Sequence, residues 1–390
     1  MNVDRSAWIP VRFGDVVRNV NESIRDPVSG GLTRVVGLEH LDPGALRVRR
    51  WADTSDGTTF TRRFRPGQVL FGKRRVYQRK AAHADFEGVC SGDILVFEAI
   101  PGQLISEFVP FVMHSERFLR YALTTSAGSL SPRTNWTDLA KYTFSLPPLD
   151  EQRRIAELLW SANDAQDKNT QSHRLARHLE IAILRESYDD NSWHVRKVGE
   201  TGEVQLGLMR EPRVHSGDYL RPYLRVANVG DDELFLSDIL SMNFEEKNFE
   251  RYRLRSGDIL LNEGQSLELV GRCAIYGDEI PDCCFQKTLL RFRCGPDLLP
   301  EFAYGWFRRC FHLGVFSRVA ARTTSMAHLT ARTFSGLSIP VPPLDVQREV
   351  IERVEAARLL RRRLAEHEEG TRRLRPQLLN HLLGSGHDLQ

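Results

Sequence analysis

The sequence predicts an α+β protein: two mixed α/β domains joined by two long antiparallel coiled-coil helices, the whole a pseudo-twofold internal repeat. Three observations predict it. Pro147-Pro148-Leu149-Asp150-Glu151-Gln152-Arg153 returns as Pro342-Pro343-Leu344-Asp345-Val346-Gln347-Arg348, 195 residues on. Earlier landmarks pair in the same order. Each Pro-Pro opens a stretch with helical heptad spacing.

The landmarks begin near the N-terminus. Trp8, Phe13, Gly14 and Asp15 pair with Trp193, Val198, Gly199 and Glu200. Val35-Val36-Gly37-Leu38 pairs with Tyr223-Leu224-Arg225-Val226, and the segment from Phe64 to Leu70 with that from Leu254 to Leu260. The offsets grow in order (185, 188, 190, 195), as a duplication with small loop insertions requires. The boundaries that follow are domains at 1–147 and 191–342, with helices at 148–190 and 343–384.

Within the domains, β-rich runs at 68–71, 94–97, 258–261 and 289–292 are bounded by Gly, Pro and Asp. Helical stretches fall at 116–125 and 301–316. In the helices, Asp150 and Glu151 suit a first turn. The expected seam is Ile155, Leu158, Ala162, Ala165, Asn169, Ser172, Ala176, Leu179 and Ile183. Shifted by 195 it reads Val350, Arg353, Ala357, Leu360, Leu364, His367, Thr371, Leu374 and Leu378, with Arg353 the misfit. Pro376 is expected to kink or restart the second helix. A helix of about 35 residues is roughly 50 Å long, more than one turn of B-DNA. A repeated domain on such a spacer suits a reader of two separated half-sites. It equally suits a coiled-coil scaffold with two protein-binding domains.

Composition narrows the class less. The net charge is +3, which neither demands nor excludes nucleic acid. Seven of the 54 basic residues are Lys and the rest Arg, a bias that suits phosphates and guanine edges but that a GC-rich genome also produces. No apolar run approaches the length of about 18 that a membrane helix needs. The polar N-terminus shows no secretory signal, so the cytoplasm is expected. Cys90, Cys273, Cys283, Cys284, Cys294 and Cys310 lack zinc-ligand spacing and are expected to be buried thiols, with no metal.

The repeated Pro-Pro-Leu-Asp-x-Gln-Arg at the head of a long helix resembles the specificity subunits of type I restriction–modification systems. So do Arg255-Ser256-Gly257-Asp258-Ile259-Leu260-Leu261-Asn262-Glu263-Gly264 and the following Gly271-Arg272. In the first half, Phe71-Gly72-Lys73-Arg74-Arg75-Val76-Tyr77, Cys90-Ser91-Gly92-Asp93-Ile94 and Ser131-Pro132-Arg133-Thr134-Asn135-Trp136 are similar to one recurrent class of their target-recognition domain. Gln68, where the second half has Asp258, is a departure. The resemblance covers about Trp8 to Leu383. It implies two target-recognition domains, each reading one half of a split asymmetric DNA site. It also implies helices that set the spacer and dock two modification (methyltransferase) subunits, with restriction (motor–nuclease) subunits joining them. S-adenosylmethionine would belong to the modification subunit, ATP and magnesium to the restriction subunit, and no cofactor to this chain. The alternatives are a specificity subunit of a type IIB-like fused methylase–nuclease, and a coiled-coil DNA-binding scaffold or regulator.

No catalytic residue is expected. Gly67-Gln68-Val69-Leu70-Phe71-Gly72-Lys73-Arg74 nearly spells a P-loop, but Arg74 stands where Ser or Thr should hold magnesium. His-Glu-x-x-His, Gly-x-Ser-x-Gly and Asn/Asp-Pro-Pro-Tyr/Phe segments do not occur. The DNA-contact candidates lie in the domains. Lys73, Arg74, Arg75 and Lys80, near Tyr77 and Arg79, suit phosphates or bases, or a solvated basic face. Arg133, Asn135 and Trp136 offer a guanine fork and an adenine pair, unless Asn135 merely caps the next helix. In the second half the candidates are Arg225, Asn228, Asn262, Glu263 and Gln265, with Arg322, Thr323 and Thr324 as phosphate ligands.

Overall fold

The computed structural model describes residues 4–128, 132–211, 214, 216–323 and 326–383. It divides into two compact units, Met1–Gln171 with Glu366–Gln390, and Ser172–Ala365. The sequence suggested domains and helices as successive blocks. Instead each long helix contributes one portion to each unit, because its two portions bury their apolar faces in different cores.

The first unit is built on a four-stranded antiparallel sheet in the order Val17–Val20, Ile94–Ala99, Val69–Gly72, Ala81–His83. Val69, Leu70, Phe71 and Gly72 are all buried, so this strand is covered on both faces and reads as an unbroken apolar run. That places the near-P-loop in a core strand. On one side pack the helices Val109–His114 and Glu116–Thr124. Phe13, Phe71, Phe97 and Phe118 form the aromatic centre, with ring centroids 5.2–6.1 Å apart. A second sheet, Ala52–Asp53, Arg34–Val36, Gly88–Cys90 and Arg62–Phe64, includes one parallel pair. The ribbon of Ile9–Arg12 with Thr143–Leu146 precedes the first long helix, Leu149–Glu186.

The second unit follows the same plan. Its four-stranded sheet runs Gly202–Leu206, Leu289–Cys294, Ile259–Asn262, Cys273–Ile275. The companion sheet has three strands, Leu240–Asn243, Leu220–Leu224 and Cys284–Phe285, again with one parallel pair. The helix expected over 301–316 is two, Pro300–His312 and Val315–Val319, separated at Gly314 in the left-handed region (φ +68°). Val195–Lys197 pairs with Ser338–Pro340 ahead of the second long helix, Leu344–Leu383.

The repeated motifs now acquire reasons. Gln152 is fully buried; its Oε1 accepts from the Ile105 N–H (3.1 Å) and its Nε2 donates to the carbonyls of Gln103 (3.0 Å) and Pro147 (2.9 Å). Gln347 does the same with Leu299 (2.8 Å), Asp297 (2.9 Å) and Pro342 (2.8 Å). Each glutamine thus ties the start of a long helix to its own domain. Gly67 and Gly257 sit at φ +86° and +87°, a turn that favours glycine. Beside them Gln68 and Asp258 each accept the backbone N–H three residues back, both at 2.8 Å. Gln68 therefore does the work of Asp258 in this turn.

The expected seam is corrected by one residue at alternate positions. Ile155, Ala176, Val350 and Ala357 are buried, and Ala162, Ile183, Leu364 and Leu378 are half-buried. Leu158 is half-buried against the first core. Ala165, Leu179, Leu360, His367 and Leu374 are exposed. The inward positions beside them are Leu159, Gln166, Glu180, Val354, Arg361, Glu368 and Arg375. Arg353 was no misfit, since Val354 takes the seam. The apolar pattern misled because several seam residues are polar and paired. In the first unit Arg375 Nη1 donates to Asn163 Oδ1 (3.0 Å), Asn169 Nδ2 to Thr371 Oγ1 (3.1 Å) and Thr170 Oγ1 to Glu368 Oε1 (2.8 Å). Numbers rise along one helix as they fall along the other, so these portions run antiparallel. In the second unit Arg361 meets Glu180 at 2.6 Å. Glu180 also meets Arg308 at 2.5 Å, and Asp232 takes Arg358 (2.7 Å), Arg361 and the Tyr304 hydroxyl (2.6 Å). Burial alone would raise the pKa of neighbouring Asp231, but the His312 imidazole 3.5 Å away and the Arg308 charge outweigh it and hold it at about 2. The second helix runs through Pro376 without a break, so the expected restart is absent.

Candidate nucleic-acid interface

In the first unit the strand Val69–Gly72 ends at a polar cradle. Lys73 leaves the sheet with its N–H on the Asp93 carbonyl (2.9 Å), and its own carbonyl accepts the Thr134 N–H (3.0 Å). Arg74 then bridges Arg133, which bridges Ala127 in turn. Three short backbone segments are thereby held side by side. In the neighbouring turn stands Asp93, whose carboxylate faces Arg74 Nε (3.0 Å), Arg133 Nη2 (3.8 Å) and Lys73 Nζ (3.9 Å). The Lys73 ammonium also donates to the Gly92 carbonyl at 2.6 Å. Three cations on one carboxylate leave the cradle positive. Arg133 is 52% exposed and Arg74 38%, so both keep guanidinium surface towards solvent.

The chain continues from Arg75 to Arg79 in a tight turn. Both arginines lie in the left-handed region, φ +51° and +53°, which side chains rarely adopt. Buried Val76 pins the turn, the Arg75 N–H donates to the Pro132 carbonyl (3.0 Å), and Arg79 pairs with Glu116 (2.7 Å). Tyr77 is left 57% exposed. Lys80 Nζ donates to the Leu38 carbonyl at 2.6 Å, so much of its reach is spent internally.

Two candidates from this half have other work. Asn135 caps the helix Trp136–Leu139, its Oδ1 accepting from the Asp138 N–H (3.0 Å) and Thr137 Oγ1 (2.5 Å). Trp136 packs on Phe97 and Phe13, centroids 5.4 and 6.1 Å away. Asn135 thus takes the capping role weighed for it, and Trp136 a place beside the core.

The second unit builds the same backbone arrangement with different side chains. The Glu263 N–H donates to the Thr288 carbonyl (3.0 Å), and the Glu263 carbonyl accepts the Leu329 N–H (2.7 Å). Gly264–Gln265 pairs with Ala327–His328, which pairs with Ala321–Arg322. Glu263 thus takes the place of Lys73, Gly264 of Arg74, His328 of Arg133 and Thr288 of Asp93. The Glu263 carboxylate lies 3.3 Å from His328 Nδ1. Arg322 and Thr323 are exposed on the adjoining turn, where Thr323 bonds the Met326 carbonyl through both N–H (2.8 Å) and hydroxyl (3.0 Å). Thr324 lies outside the described residues. Gln265 is half-buried and accepts the Ser266 N–H (3.0 Å).

Three candidates here are structural instead. Asn228 is 2% exposed and donates to the carbonyls of Phe235 (2.8 Å) and Asp238 (3.0 Å). Arg225 is held by Asp238 and gives its backbone N–H to Asn228. Asn262 is fully buried beneath the Val229 carbonyl. Their polar groups tie down the segment between Asn228 and Asp238 and satisfy backbone carbonyls there. Sequence reasoning missed Asp93 and His328. Asp93 had a signal, an acid in a Ser-Gly-Asp turn beside a basic run; His328 had none. Among the described residues no three metal-capable side chains converge. No described helix is long and apolar enough to cross a membrane.

Comparison with known proteins places this architecture. A family model for the type I restriction modification DNA specificity domain matches residues 58–175 and again 191–360. The type I restriction enzyme EcoKI specificity subunit of Escherichia coli K12 is 24% identical over 301 residues, covering 71% of this chain and 64% of that protein. The EcoDI specificity subunit of Escherichia coli is 26% identical over 188 residues, covering 46% of this chain and 41% of that one. The chain therefore spans less than two thirds of the length of the curated relatives it matches. Among solved structures, a chain from work on complex assembly and conformational transition of the type I R-M system aligns over 97% of this chain and 98% of its own, with a TM-score of 0.63 at 20% identity. The type I restriction-modification S subunit from M. genitalium aligns over 99% of both chains, with a TM-score of 0.60 at 13% identity. At those identities the structures speak for the fold. The two family-model matches cover more than half of the sequence, and the chain belongs to the type I restriction modification DNA specificity family.

Proposed function

We propose that this chain is the specificity subunit of a type I restriction–modification complex. It reads a bipartite, asymmetric DNA site, one half with each unit, and performs no chemistry itself. The observation that carries this reading is the pair of cradles: one backbone arrangement, built twice, with different charged side chains at matching positions. Two copies of a reader with unlike contact groups suit two unlike half-sites. The contact residues would be Lys73, Arg74, Arg75 and Arg133 in one unit, and Glu263, Gln265, Arg322, Thr323 and Thr324 in the other. The two long helices would form an antiparallel coiled-coil spacer, completing the pseudo-twofold repeat.

The helices would also dock modification subunits. Leu175 and Leu179 on the first long helix, and Leu359, Leu360 and Leu374 on the second, are each at least 44% exposed, and exposed apolar side chains on long helices suit partners that cover them. Methyl transfer from S-adenosylmethionine to adenine would take place on the modification subunits, and ATP- and magnesium-dependent translocation and cleavage on restriction subunits, all in the cytoplasm. Affinity for DNA should fall steeply with salt, since phosphate contacts dominate it.

Methylome sequencing of the host with and without the gene tests this. One split N6-methyladenine motif should disappear on deletion and return on complementation. An unchanged methylome in cells that express the modification subunit overturns the reading.

A further inference from the structure

The matching cradles differ in a way that bears on which bases they hold. In the first, the Asp93 carboxylate gathers Arg74, Arg133 and Lys73 within 3.0–3.9 Å. In the second, the carboxylate is Glu263, only 17% exposed, with His328 as its partner at 3.3 Å. The matching position for Asp93 is the neutral Thr288, and the one for Arg74 is Gly264. The sign of the presented chemistry is therefore reversed: outward guanidinium donors in one cradle, an acceptor carboxylate in the other.

A phosphate is a poor occupant of the second cradle, where the Glu263 carboxylate has only His328 beside it and a second anion meets like-charge repulsion. The first cradle, with three cations around Asp93, admits an anion by charge, and it is the planar shape of its guanidinium groups that favours a base edge. There Asp93 acts as a strut. Its carboxylate stands 3.0 Å from Arg74 Nε and 3.8 Å from Arg133 Nη2, ion-pair contacts beside which both side chains keep exposed surface. Guanidinium forks held in this way match a base edge with two acceptors side by side. In the major groove guanine supplies that edge with N7 and O6. A carboxylate matches the opposite edge, an exocyclic amino group such as N4 of cytosine or N6 of adenine.

We propose that the two cradles are the base-reading elements and that they read opposite chemistry. Arg74 and Arg133, positioned by Asp93, hold guanine in one half-site; Glu263, positioned by His328, accepts a hydrogen bond from a base amino group in the other. The proposal rests on the function inferred above and adds the kind of base to each unit.

The test uses the full chain with its modification subunits, expressed in cells without other adenine methyltransferases, and reads the methylated motif. Arg133→Gln and Arg74→Gln should relax a G·C position in one half by about tenfold or more, the scale of a lost bidentate contact of 1–3 kcal/mol. The other half should stay intact, which also reports that the variant folds. Glu263→Ala, which removes the acceptor, should relax one position in that other half. Arg133→Lys separates base from phosphate: it keeps the charge but loses the fork, so base reading requires the same relaxation. If Arg133→Lys or Glu263→Ala leaves the motif unchanged, or if Arg133→Gln and Glu263→Ala lower methylation equally at every site, the cradles do not read bases and the proposal fails. If the wild-type complex methylates no split motif, it is the underlying function that fails.

Discussion

Replacing Gln347 by Leu removes three hydrogen bonds and adds no bulk to speak of. The side chain is fully buried, and its partners are the Leu299 N–H (2.8 Å) and the carbonyls of Asp297 (2.9 Å) and Pro342 (2.8 Å). Each backbone group stranded without a partner costs about 1–3 kcal/mol when water cannot reach it. The Pro342 carbonyl is buried, whereas Asp297 is exposed and its carbonyl can be rehydrated in part. The expected loss is therefore about 3 kcal/mol, towards the lower end of the sum. Gln347→Glu should be no better, because a carboxylate accepts from Leu299 but has no proton for the two carbonyls. Urea unfolding gives the total. Hydrogen exchange gives the location: the Leu299 amide should lose protection by about a hundredfold. A loss below 1 kcal/mol in the Leu variant, or a Glu variant as stable as the parent, would refute the idea that this glutamine pins helix to domain. Gln152→Leu repeats the experiment in the first unit with matching partners.

Burial holds the pKa of His114 down at about 4, against 6.5 when free, and its Nε2–H donates to the Ala81 carbonyl at 2.6 Å. The folded state thus binds the proton less readily than the unfolded one, so this contribution is complete above pH 6.5 and is lost as pH falls towards 4. At 1.36 kcal/mol for each pH unit, about 2 kcal/mol should be gone by pH 5; urea midpoints for the parent and His114→Asn at pH 7 and 5 should show that slope in the parent alone. Asn135→Ala removes a helix cap and should cost about 1 kcal/mol while the methylated motif keeps every base. A relaxed motif would return Asn135 to the DNA surface.

How far the sequence carried can be judged from single residues. The repeat was legible because the residues that hold a long helix to its domain, Gln152 and Gln347, do the same job through side chain to backbone bonds in both units. Strands such as Val69–Gly72 were legible because burial on both faces leaves an unbroken apolar run. The seam was legible only at alternate positions. Hydrophobic periodicity finds Ile155, Ala176 and Val350, but it slides past Glu180, Arg361 and Arg375, whose inward placement depends on partners far away in the chain. It prefers Leu179, Leu360 and Leu374, which are exposed. Four of the DNA candidates bond within their own chain for a related reason. Asn228, Asn262, Asn135 and Arg225 are the residue types that touch bases, and they are equally the types that cap helices and satisfy buried loops. Only their partners distinguish the two uses.

The junctions between loop and helix show why such partners escape a repeat search. Asp232 follows Gly44 by 188 residues, the offset that pairs Val35 with Tyr223, and both lie in the left-handed region, at φ +74° and +67°. In the first, Arg375 Nη2 donates to the Gly44 carbonyl at 2.9 Å, an interaction that needs only a backbone group. In the second, Asp232, fully buried at φ +67°, receives Arg358 (2.7 Å), Arg361 and the Tyr304 hydroxyl (2.6 Å). One duplicated junction is thus closed by a cation on a carbonyl and, in the other copy, by a carboxylate among cations. A buried charge is tolerated only when its partners are complete, so each copy must change its whole set together. The cradles show the same joint exchange, Lys73 with Asp93 and Arg133 against Glu263 with Thr288 and His328. Divergence by complete sets keeps the backbone constant while the presented chemistry changes sign. Under the proposed function, two unlike half-sites would be read with one architecture, and that property is what such a reader would need.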